Sequence, residues 1–480
     1  MKKLDKNINK DSEKYREYEI KKAAIYKIVA FLSMLLIGAI VSFVVPLRPT
    51  VSLSENRNLT TFPEFSLTAF MDGDYFKQLD TWFSDTFPFR DQLISCSENI
   101  NSMYGIRSRV LHGEVVAGDE IPDVDIDMDD LNQVDSSVIQ ANAQTGNQTG
   151  NQSAQVNSDQ NDHIDADDVG TVVEDTDGSI AAQSGERLDS IFVVNNAAYN
   201  YYAFSQNDSD AYSDVVNNLA NKLEGQAVVY DMIVPTSIDV TLDDATRNSL
   251  TSSNQKKAIL YMYSRMNSNV RKSYVYDVLK SHRDEYIFFR TDHHWTALGA
   301  YYAYSSFITQ LGYAPNSINS YEQYVFDGFK GSFFTQSGVT SLGNNPDTVY
   351  AYKPLHTNRL QFQDREGKMV DYNVITDVSE WNATSKYSTF IGGDNAYTQI
   401  NNPGLSDGSS CLVVKESFGN AFVPFLSDHF ENVYVVDYRY YEGKVSDLVS
   451  QYGINTVLII NNISATSTLQ RISDMQKVCN

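Results

Sequence analysis

From residue 187 onward, the pattern of apolar and polar positions alternates between short β-branched runs and stretches of helical periodicity. Six apolar runs, of the kind buried in parallel sheets, predict strands at 191–194, 227–234, 274–278, 411–414, 433–436 and 457–460. Apolar residues three and four apart predict helices at 210–223, 254–266, 297–311 and 445–452. The alternation predicts an α/β fold, a doubly wound α/β/α domain over residues 187–480 with sites at the carboxyl ends of its strands.

Residues 313–410 break this alternation. The stretch is rich in glycines, turn signals and isolated aromatic residues, and it predicts an inserted β-rich lobe. Within it, the sequence Ile-Gly-Gly-Asp-Asn at 391–395 is either a plain turn or a source of backbone N–H donors for a nearby site. The residue types favour the turn.

The first 45 residues have the pattern of a membrane anchor. A basic head, residues 1–27, precedes 18 uncharged residues, 28–45, that end at Pro46. A run of this length can span a bilayer, and the basic flank is expected to stay in the cytoplasm, with the main domain outside. A cleaved signal peptide is the alternative, but its apolar core would be shorter and a small-residue cleavage site would follow. We therefore predict a single-pass protein of the cell membrane with an N-terminal transmembrane helix.

Residues 46–117 are predicted to form an entry segment that packs on the main domain. Aromatic and apolar residues recur at helix-like spacing across 65–83 and predict a helix there. Asp85, Arg90 and Asp91 surround the sequence Phe-Pro-Phe. A charge cluster of this kind is either a site or a salt-bridged turn, and the turn is the more common arrangement.

Most of the net charge of -24 lies in one region. Between Val110 and Glu186 the chain has 18 acidic residues and no lysine or arginine. Asn, Gln, Ser and Gly repeats at 140–161 cannot bury enough surface to fold, so residues 118–186 are predicted as an acidic, low-complexity disordered linker. Alternating carboxylates at 123–130 could bind calcium, but they lack the Gly and terminal Glu of an EF-hand loop, which favours a solvated linker. Nucleic acid is not expected as a partner, because this outer region has no basic stripe.

A carboxylate and two imidazoles stand side by side in the sequence Asp-His-His-Trp at 292–295. Apolar residues at 286–289 predict a buried strand before them and the helix at 297–311 follows, so a strand-to-helix turn is expected. Asp292 can bond one ring nitrogen of His294 and leave the other nitrogen as a base. The alternatives are a helix N-cap aspartate beside buried histidines, and a metal pair, which no HExxH or cysteine-rich partner supports.

Ser417 is the candidate nucleophile for this base. It follows the predicted strand at 411–414, and a helix is predicted at 421–430. Backbone N–H groups and the positive end of a helix dipole at such a place can stabilise an oxyanion. A serine after a strand is more often only a helix cap, and the pairing with Asp292 and His294 is what favours catalysis.

Two motifs, in this order, resemble the DHHW family of bacterial proteins. The sequence Asp-His-His-Trp at 292–295 is the signature that names this family, and residues 415–426 resemble its second motif. Residues 54–57 and 85–91 also resemble family blocks, so the similarity covers most of the chain outside about 118–186. More distantly, an Asp-x-His-Trp motif with a late serine is similar to the SGNH-hydrolase-like alginate O-acetyltransferases.

The resemblance implies an SGNH-hydrolase-like α/β/α fold and a triad of Ser417, His294 and Asp292, with His293 at a variable position. Such relatives usually have Asp immediately before the serine, where this chain has Glu416. The family also implies a bacterial, Gram-positive cell envelope. Three cysteines at no disulfide-framework spacing agree with a large core that needs no disulfides: Cys96, Cys411 and Cys479.

Four further residues are predicted to contact substrate. Trp295 and Asn420 lie inside the two motifs. Arg439 and Tyr440 lie in a tyrosine cluster directly after the strand at 433–436, where aromatic faces can stack on sugar rings and arginine can hold a carboxylate. Core packing explains such residues equally well.

Two functions follow as hypotheses. In the first, the protein is a membrane-anchored, extracytoplasmic serine O-acyltransferase or esterase acting on O-acetyl groups of a cell-envelope polysaccharide. It uses no cofactor and no metal, and a membrane partner that donates the acyl group is an open option. In the second, the fold is a catalytically silent surface scaffold or glycan-binding protein. The distance from Ser417 to His294 discriminates between them, because fold alone does not.

Overall fold

A computed structural model of the chain describes residues 190–480 apart from 195 and 365, residues 110–134 apart from 114, and parts of the stretch between 22 and 88. The chain divides into two compact units, Met1–Tyr104 and Gly105–Asn480. No helix within the described residues is long and apolar enough to cross a membrane. The predicted anchor at 28–45 falls mostly outside those residues and stays a prediction.

In the first unit, strand β1 (Val51–Ser52) pairs antiparallel with β2 (Arg57–Asn58), and helix α1 spans Asp74–Asp85. Gly73 precedes the helix with a φ of 82°, a left-handed conformation that glycine adopts at no steric cost. Of the helix predicted at 65–83, Phe65 and Ser66 are not helical, whereas Phe70 and Met71 are helical and precede the turn at Gly73. Arg90 and Asp91 of the predicted salt-bridged turn lie outside the described residues.

The second unit is built around one large sheet. In chain order, the strands of the whole second unit are β3 (Val110–Gly113), β4 (Ser190–Val194), β5 (Ala197–Asn200), β6 (Val228–Val234), β7 (Val270–Lys272), β8 (Glu322–Phe329), β9 (Asp347–Lys353), β10 (Arg359–Gln363), β11 (Met369–Asn373), β12 (Tyr397–Asn401), β13 (Ser410–Lys415), β14 (Asn432–Asp437) and β15 (Thr456–Asn462). The large sheet has the order β11-β10-β12-β14-β13-β15-β6-β7. The five strands from β14 to β7 run parallel, and β12, β10 and β11 continue the sheet antiparallel.

Helices cover both faces of this sheet. They are α2 (Gln206–Lys222), α3 (Ser237–Val240), α4 (Asp244–Asn248), α5 (Gln255–Arg265), α6 (Tyr276–Ser281), α7 (Ala297–Gln310), α8 (Ser332–Ser337), α9 (Thr340–Gly343), α10 (Val423–Leu426), α11 (Val445–Tyr452) and α12 (Leu469–Cys479). Successive strand residues point to opposite faces: Met232 packs in the apolar cluster that contains α7, whereas Ile233 packs in the cluster that contains α2, α5, α11 and α12. The domain is therefore a three-layered α/β/α structure.

Three of the predicted strands were wrong or misplaced. Residues 191–194 do form β4, but β4 pairs with β3 and β5 in a separate antiparallel sheet. The strand predicted at 274–278 is displaced, because β7 ends at Lys272 and α6 begins at Tyr276. Residues 286–289 form no strand, only an isolated bridge between Phe288 and Trp295. Short apolar runs have the same pattern in strands, turns and short helices, so tertiary contacts decide among them.

The region 313–410 is β-rich, as predicted, but it is not a separate lobe. β8 and β9 form a two-stranded hairpin, whereas β12 pairs with β14 and so joins the main sheet. β10 and β11 extend that sheet further. β10 and β11 lie at this edge of the sheet because β12, which pairs with β10, also pairs with β14. The local sequence of the region does not predict this long-range pairing.

The predicted acidic linker begins too early at residue 118. Leu131 is buried, and Ile121 packs against the core of the α/β domain. Asn132 is also tied to Tyr274: its side chain donates to the tyrosine carbonyl at 2.8 Å and accepts from the tyrosine N–H at 2.7 Å. Apolar residues between the carboxylates thus hold this stretch to the domain, while 135–189 lies outside the described residues.

Candidate active site

Ser417 lies at the carboxyl edge of the parallel strands, two residues after β13, on a one-turn 3₁₀ helix spanning Ser417–Ala421. The helix predicted at 421–430 is shorter and is divided between this turn and α10. Gly419 lets the turn pass close to Lys415, since a Cβ there would lie 2.7 Å from the lysine Cβ. The nucleophile candidate therefore sits where a central buried strand ends, as expected for α/β proteins.

Asp292 and His294 lie on a tight loop before α7. The Phe289 N–H donates to the His294 carbonyl at 3.2 Å, and the Thr296 N–H donates to the Ile287 carbonyl at 2.9 Å. These two bonds fold the loop back on itself and turn the side chains of Asp292 and His294 toward the end of β13.

The structure brings Ser417, His294 and Asp292 into one hydrogen-bonded chain. The Oγ of Ser417 lies 2.7 Å from Nε2 of His294, and Nδ1 of His294 lies 2.6 Å from Oδ1 of Asp292. Asp292 also accepts the His294 N–H at 2.9 Å and the Ser332 N–H at 2.7 Å. All three triad side chains are buried. This is the arrangement in which an imidazole removes a hydroxyl proton while a carboxylate holds its tautomer.

The carboxyl group of Asp292 is kept ionised. Burial alone would raise its pKa, but the imidazoles of His294 and His293 and the hydrogen bonds from His294 and Ser332 outweigh burial and hold the pKa well below its usual range. For His293, burial lowers the pKa to about 4, so this second imidazole is neutral at pH 7. The site therefore places an ionised Asp292 beside a neutral His293.

Tyr387, from the region predicted as a lobe, packs against the His294 imidazole from one side. Its ring stacks on His294 with centroids 4.0 Å apart and an angle of 11° between the planes. Its hydroxyl donates to the Ser417 carbonyl at 3.1 Å. Burial raises the pKa of Tyr387 well above its ordinary value, so it stays a neutral donor.

Glu416 occupies the position before the nucleophile and bonds the residues around it. Its Oε2 accepts from the Phe418 N–H and lies near the Ser417 Oγ, each at 3.1 Å, and its Oε1 accepts from the Asn462 N–H at 2.9 Å. The Gly419 N–H donates to the Glu416 carbonyl at 3.0 Å. Backbone N–H groups after Ser417 were expected to serve an oxyanion, but two of them serve Glu416 instead.

Of the predicted substrate-binding residues, Trp295 is fully buried. Its Nε1 donates to the Phe418 carbonyl at 2.9 Å, and its ring stacks parallel to Phe422 at 6.4 Å. The tryptophan thus joins the first motif to the second and has no exposed surface for a ligand. Asn420 is also buried, and its Nδ2 donates to Oδ1 of Asp394 at 2.9 Å.

Arg439 is held by carboxylates of the chain itself. Its Nη2 lies 2.6 Å from Asp437 and 2.9 Å from Asp394, and only 4% of its side chain is exposed. Lys415 joins the same buried cluster at 2.9 Å from Asp437. The cations leave Asp394 ionised: burial would raise its pKa, but Arg439 and Lys415 lower it well below the usual range. Of the predicted pair, only Tyr440 is exposed, at 41%.

Asp347, at the start of β9, is buried and accepts hydrogen bonds from residues that precede Asp292. The sequence did not predict this role. Its Oδ2 accepts from the N–H and the hydroxyl of Thr291, each at 2.7 Å, and its Oδ1 accepts from the Tyr286 hydroxyl at 2.6 Å and from Arg290 Nε at 3.0 Å. These bonds fix the backbone immediately before Asp292. No local signal marks Asp347, since its partners lie about 60 residues away.

Gly331 and Ser332 contact Asp292 directly. The Ser332 N–H holds Asp292, and its hydroxyl lies 2.6 Å from Nδ1 of His293. A Cβ at Gly331 would overlap the side chain of Asp292. This glycine is therefore required for the close approach of the two segments.

Asp292, His293 and His294 have ligand atoms within 4.8 Å of one another, close enough to hold a metal ion. Both ring nitrogens of His294, however, already have partners at 2.6 and 2.7 Å. A metal would have to displace Asp292 or Ser417, so the residues present fit a hydrogen-bonded triad better than a metal site.

Comparison with known structures supports this fold. The chain is similar to a solved DHHW family protein from Eubacterium siraeum, with 26% identity and a TM-score of 0.54, over 60% of this chain and 95% of that one. It also resembles PatB1 of Bacillus cereus, with 20% identity and a TM-score of 0.50, over 58% and 98% of the two chains. The O-acetyltransferase domain of Pseudomonas putida AlgJ matches at 12% identity and a TM-score of 0.32, over 59% and 96%.

No curated protein matches the chain. The sequence model of the DHHW protein matches residues 55–436, about four fifths of its length and both motifs of the site. The chain therefore belongs to the DHHW family.

Proposed function

We propose that the protein is a membrane-anchored, extracytoplasmic serine O-acyltransferase or esterase that acts on O-acetyl groups of a cell-envelope polysaccharide. The observation that supports it most is the Ser417–His294–Asp292 chain, with contacts of 2.7 and 2.6 Å between residues up to 123 positions apart in the sequence. Three side chains meet in this order, at the end of a parallel strand, in enzymes that activate a hydroxyl for attack on an ester.

In the first step, the Oγ of Ser417 attacks the acetyl carbonyl while Nε2 of His294 takes the hydroxyl proton. Asp292 holds the imidazole tautomer and stabilises the imidazolium that forms. When the tetrahedral intermediate collapses, His294 returns this proton to the departing alcohol, and an acetyl group is left on Ser417. In the second step, His294 removes a proton from an incoming hydroxyl, whose oxygen takes the acetyl group and frees the serine.

The incoming hydroxyl decides between the two reactions. A sugar hydroxyl gives transfer, and water gives hydrolysis. Ser417 is 7% and His294 6% exposed, so only a narrow approach to the nucleophile is open. The acetyl group is proposed because the Asp-x-His-Trp motif and late serine are similar to those of alginate O-acetyltransferases. A glycan is proposed because Tyr440, three residues after β14, is an aromatic side chain that is 41% exposed, and aromatic rings can stack on sugars.

The decisive experiment is to treat the full-length, detergent-solubilised protein with p-nitrophenyl acetate and with a fluorophosphonate. We expect acetate release, and a phosphonate adduct that mass spectrometry locates on Ser417. Ser417→Ala should lose both. Ser427→Ala is the matched control, because this buried serine donates its hydroxyl to the Pro424 carbonyl at 2.6 Å and belongs to no triad. A wild-type protein with neither turnover nor adduct would favour the scaffold function.

A further inference from the structure

A tetrahedral intermediate on Ser417 needs hydrogen-bond donors for its oxyanion, because two electrons of the carbonyl double bond move onto oxygen as the Oγ–carbon bond forms. The usual source is the N–H of the residue after the nucleophile. Here the Phe418 N–H is bonded to Glu416 Oε2 at 3.1 Å, and the Gly419 N–H to the Glu416 carbonyl at 3.0 Å. These two N–H groups are therefore already used, which favours a side-chain donor near the Oγ.

The side chain of Asn420 is placed to supply it. Ser417 and Asn420 are three residues apart on a 3₁₀ helix, the spacing at which side chains eclipse on one face. Asn420 bonds Asp394, and Asp394 lies close enough to His294 for this imidazole to help lower the pKa of the carboxyl group. The carboxamide thus stands on the face of the turn that carries the nucleophile.

Asn420 is buried, and Asp394 takes only one of the two N–H groups of its carboxamide. The residue is 1% exposed, and its Nδ2 donates to Asp394 Oδ1 at 2.9 Å. Its Oδ1 has no hydrogen-bond partner among the described residues, but this oxygen is an acceptor and would not bond an oxyanion. A carboxamide nitrogen carries two N–H donors, so one is left for a substrate oxygen once Asp394 has taken the other. A buried polar group with unused capacity in a folded protein calls for such an explanation.

Asp394 is itself rigidly held. Arg439 binds it at 2.9 Å and Lys415 at 3.5 Å. It follows a turn in which the Gly393 N–H donates to the Phe390 carbonyl at 2.9 Å while Ile391 has a φ of 48°. A β-branched residue rarely adopts this left-handed conformation, and such strain is found where a site demands it.

We propose that Nδ2 of Asn420 donates a hydrogen bond to the oxyanion formed on Ser417, and that Asp394 is the positioning residue that aims this amide. The inference rests on the proposed function and adds to it a side-chain donor for the oxyanion. Arg439 and Lys415 then serve the reaction indirectly, by fixing Asp394 rather than by binding substrate.

The test is the steady-state hydrolysis of p-nitrophenyl acetate by purified full-length variants. Asn420→Ala should lower kcat about 100-fold with little change in KM, because the donor acts on the transition state and not on bound substrate. Asp394→Ala should also lower kcat, and Asp394→Asn, which keeps an acceptor oxygen, should restore part of that loss. A purely structural role would not produce this rescue.

Asn402→Ala is the matched control. Asn402 is equally buried and its carboxamide bonds the Ser427 carbonyl and the Gly404 N–H, each at 2.8 Å. It lies at the opposite end of the sheet, about 20 Å away for six residues of strand. This variant should lose stability and keep its kcat.

A cooperatively folded Asn420→Ala variant whose kcat stays within threefold of wild type would overturn the inference. If that variant does not fold, Asn420→Ser decides, because its shorter hydroxyl does not reach the same point and the same loss is expected. The proposed function fails separately, when wild-type protein neither hydrolyses the ester nor takes a phosphonate on Ser417.

Discussion

Trp295 Nε1 donates a hydrogen bond to the Phe418 carbonyl at 2.9 Å, joining two motifs that are 123 residues apart. The bond connects the residue after His294 to the residue after Ser417. Both partners are fully buried, so the contact acts in a water-free environment. It ties the two halves of the triad to each other independently of the triad's own hydrogen bonds.

Replacing this tryptophan tests that tie. Trp295→Phe keeps an aromatic ring but leaves the Phe418 carbonyl buried without its donor, which should lower the free energy of unfolding by about 1–3 kcal/mol and lower kcat as well. Urea denaturation followed by circular dichroism measures the first effect. Trp381→Phe is the control, since Trp381 is only partly buried against the core and should change kcat little. Equal effects of the two substitutions would contradict a specific role for the bond.

The triad should behave as one unit. Ser417→Ala and His294→Ala should each remove nearly all turnover, and the double variant should be scarcely worse, because either loss disables the same step. Asp292→Asn should lose less, since it disturbs tautomer and orientation while both reacting groups stay in place. His293→Ala should keep the largest share, because His293 bonds Ser332 and not the nucleophile. Single-variant losses that multiply in the double variant would argue against the triad.

Asp347 should matter to catalysis without touching the reacting atoms. Asp347→Ala leaves the Thr291 N–H, the Thr291 hydroxyl and the Tyr286 hydroxyl without their acceptor, and we expect a loss of about 3 kcal/mol in the free energy of unfolding together with lower kcat. Asp327→Ala is the control, because that carboxylate on β8 is exposed and accepts one hydrogen bond, from Thr348 at 2.7 Å. Its substitution should cost less than about 0.5 kcal/mol.

The buried imidazole of His293 should make stability depend on pH. Burial lowers its pKa from 6.5 to about 4, so between these values the unfolded chain binds a proton that the folded protein does not. The free energy of unfolding should therefore fall as pH falls from 6.5 to 4, by about 3 kcal/mol from this group. Burial also lowers the pKa of His429 to about 4, so this residue should likewise decrease the free energy of unfolding as pH falls.

Asp231 has the opposite effect on the free energy of unfolding. Burial raises its pKa from 3.8 to about 7, so its stabilising contribution is lost as pH rises from 3.8 to 7. The informative measurement is therefore a difference between variants. His293→Gln, compared with wild type by urea denaturation at pH 7 and pH 5, should show a smaller decrease of stability toward acid. Parallel curves for the two proteins would show that His293 does not carry this dependence.

The predicted membrane topology can be tested directly. A periplasmic-type alkaline phosphatase fused after Asn480 should be active in intact cells, because the basic head, residues 1–27, is expected to hold the amino end in the cytoplasm. A β-galactosidase fused at the same place is the control and should be inactive. The reverse pattern would remove both the anchor and the extracytoplasmic substrate.

The sequence by itself was enough to select three side chains that the structure joins in one hydrogen-bonded chain. Asp292, His294 and Ser417 stand in two motifs with residue types that suit a base and a nucleophile, and the long β-branched runs at 411–414 and 457–460 formed buried strands where they were predicted. These features are local: a run of apolar residues, or a carboxylate two positions from an imidazole, has a meaning that does not depend on distant parts of the chain.

Only the tertiary structure decided the rest. The glutamate before the nucleophile turned out to use the backbone donors expected for an oxyanion, and Arg439 turned out to bind Asp394 and Asp437 rather than face solvent. Asp347 had no signal at all. Each of these roles depends on which long-range partner a polar side chain meets once it is buried. Burial forces every such group to find a partner, but the residue type alone does not say which one.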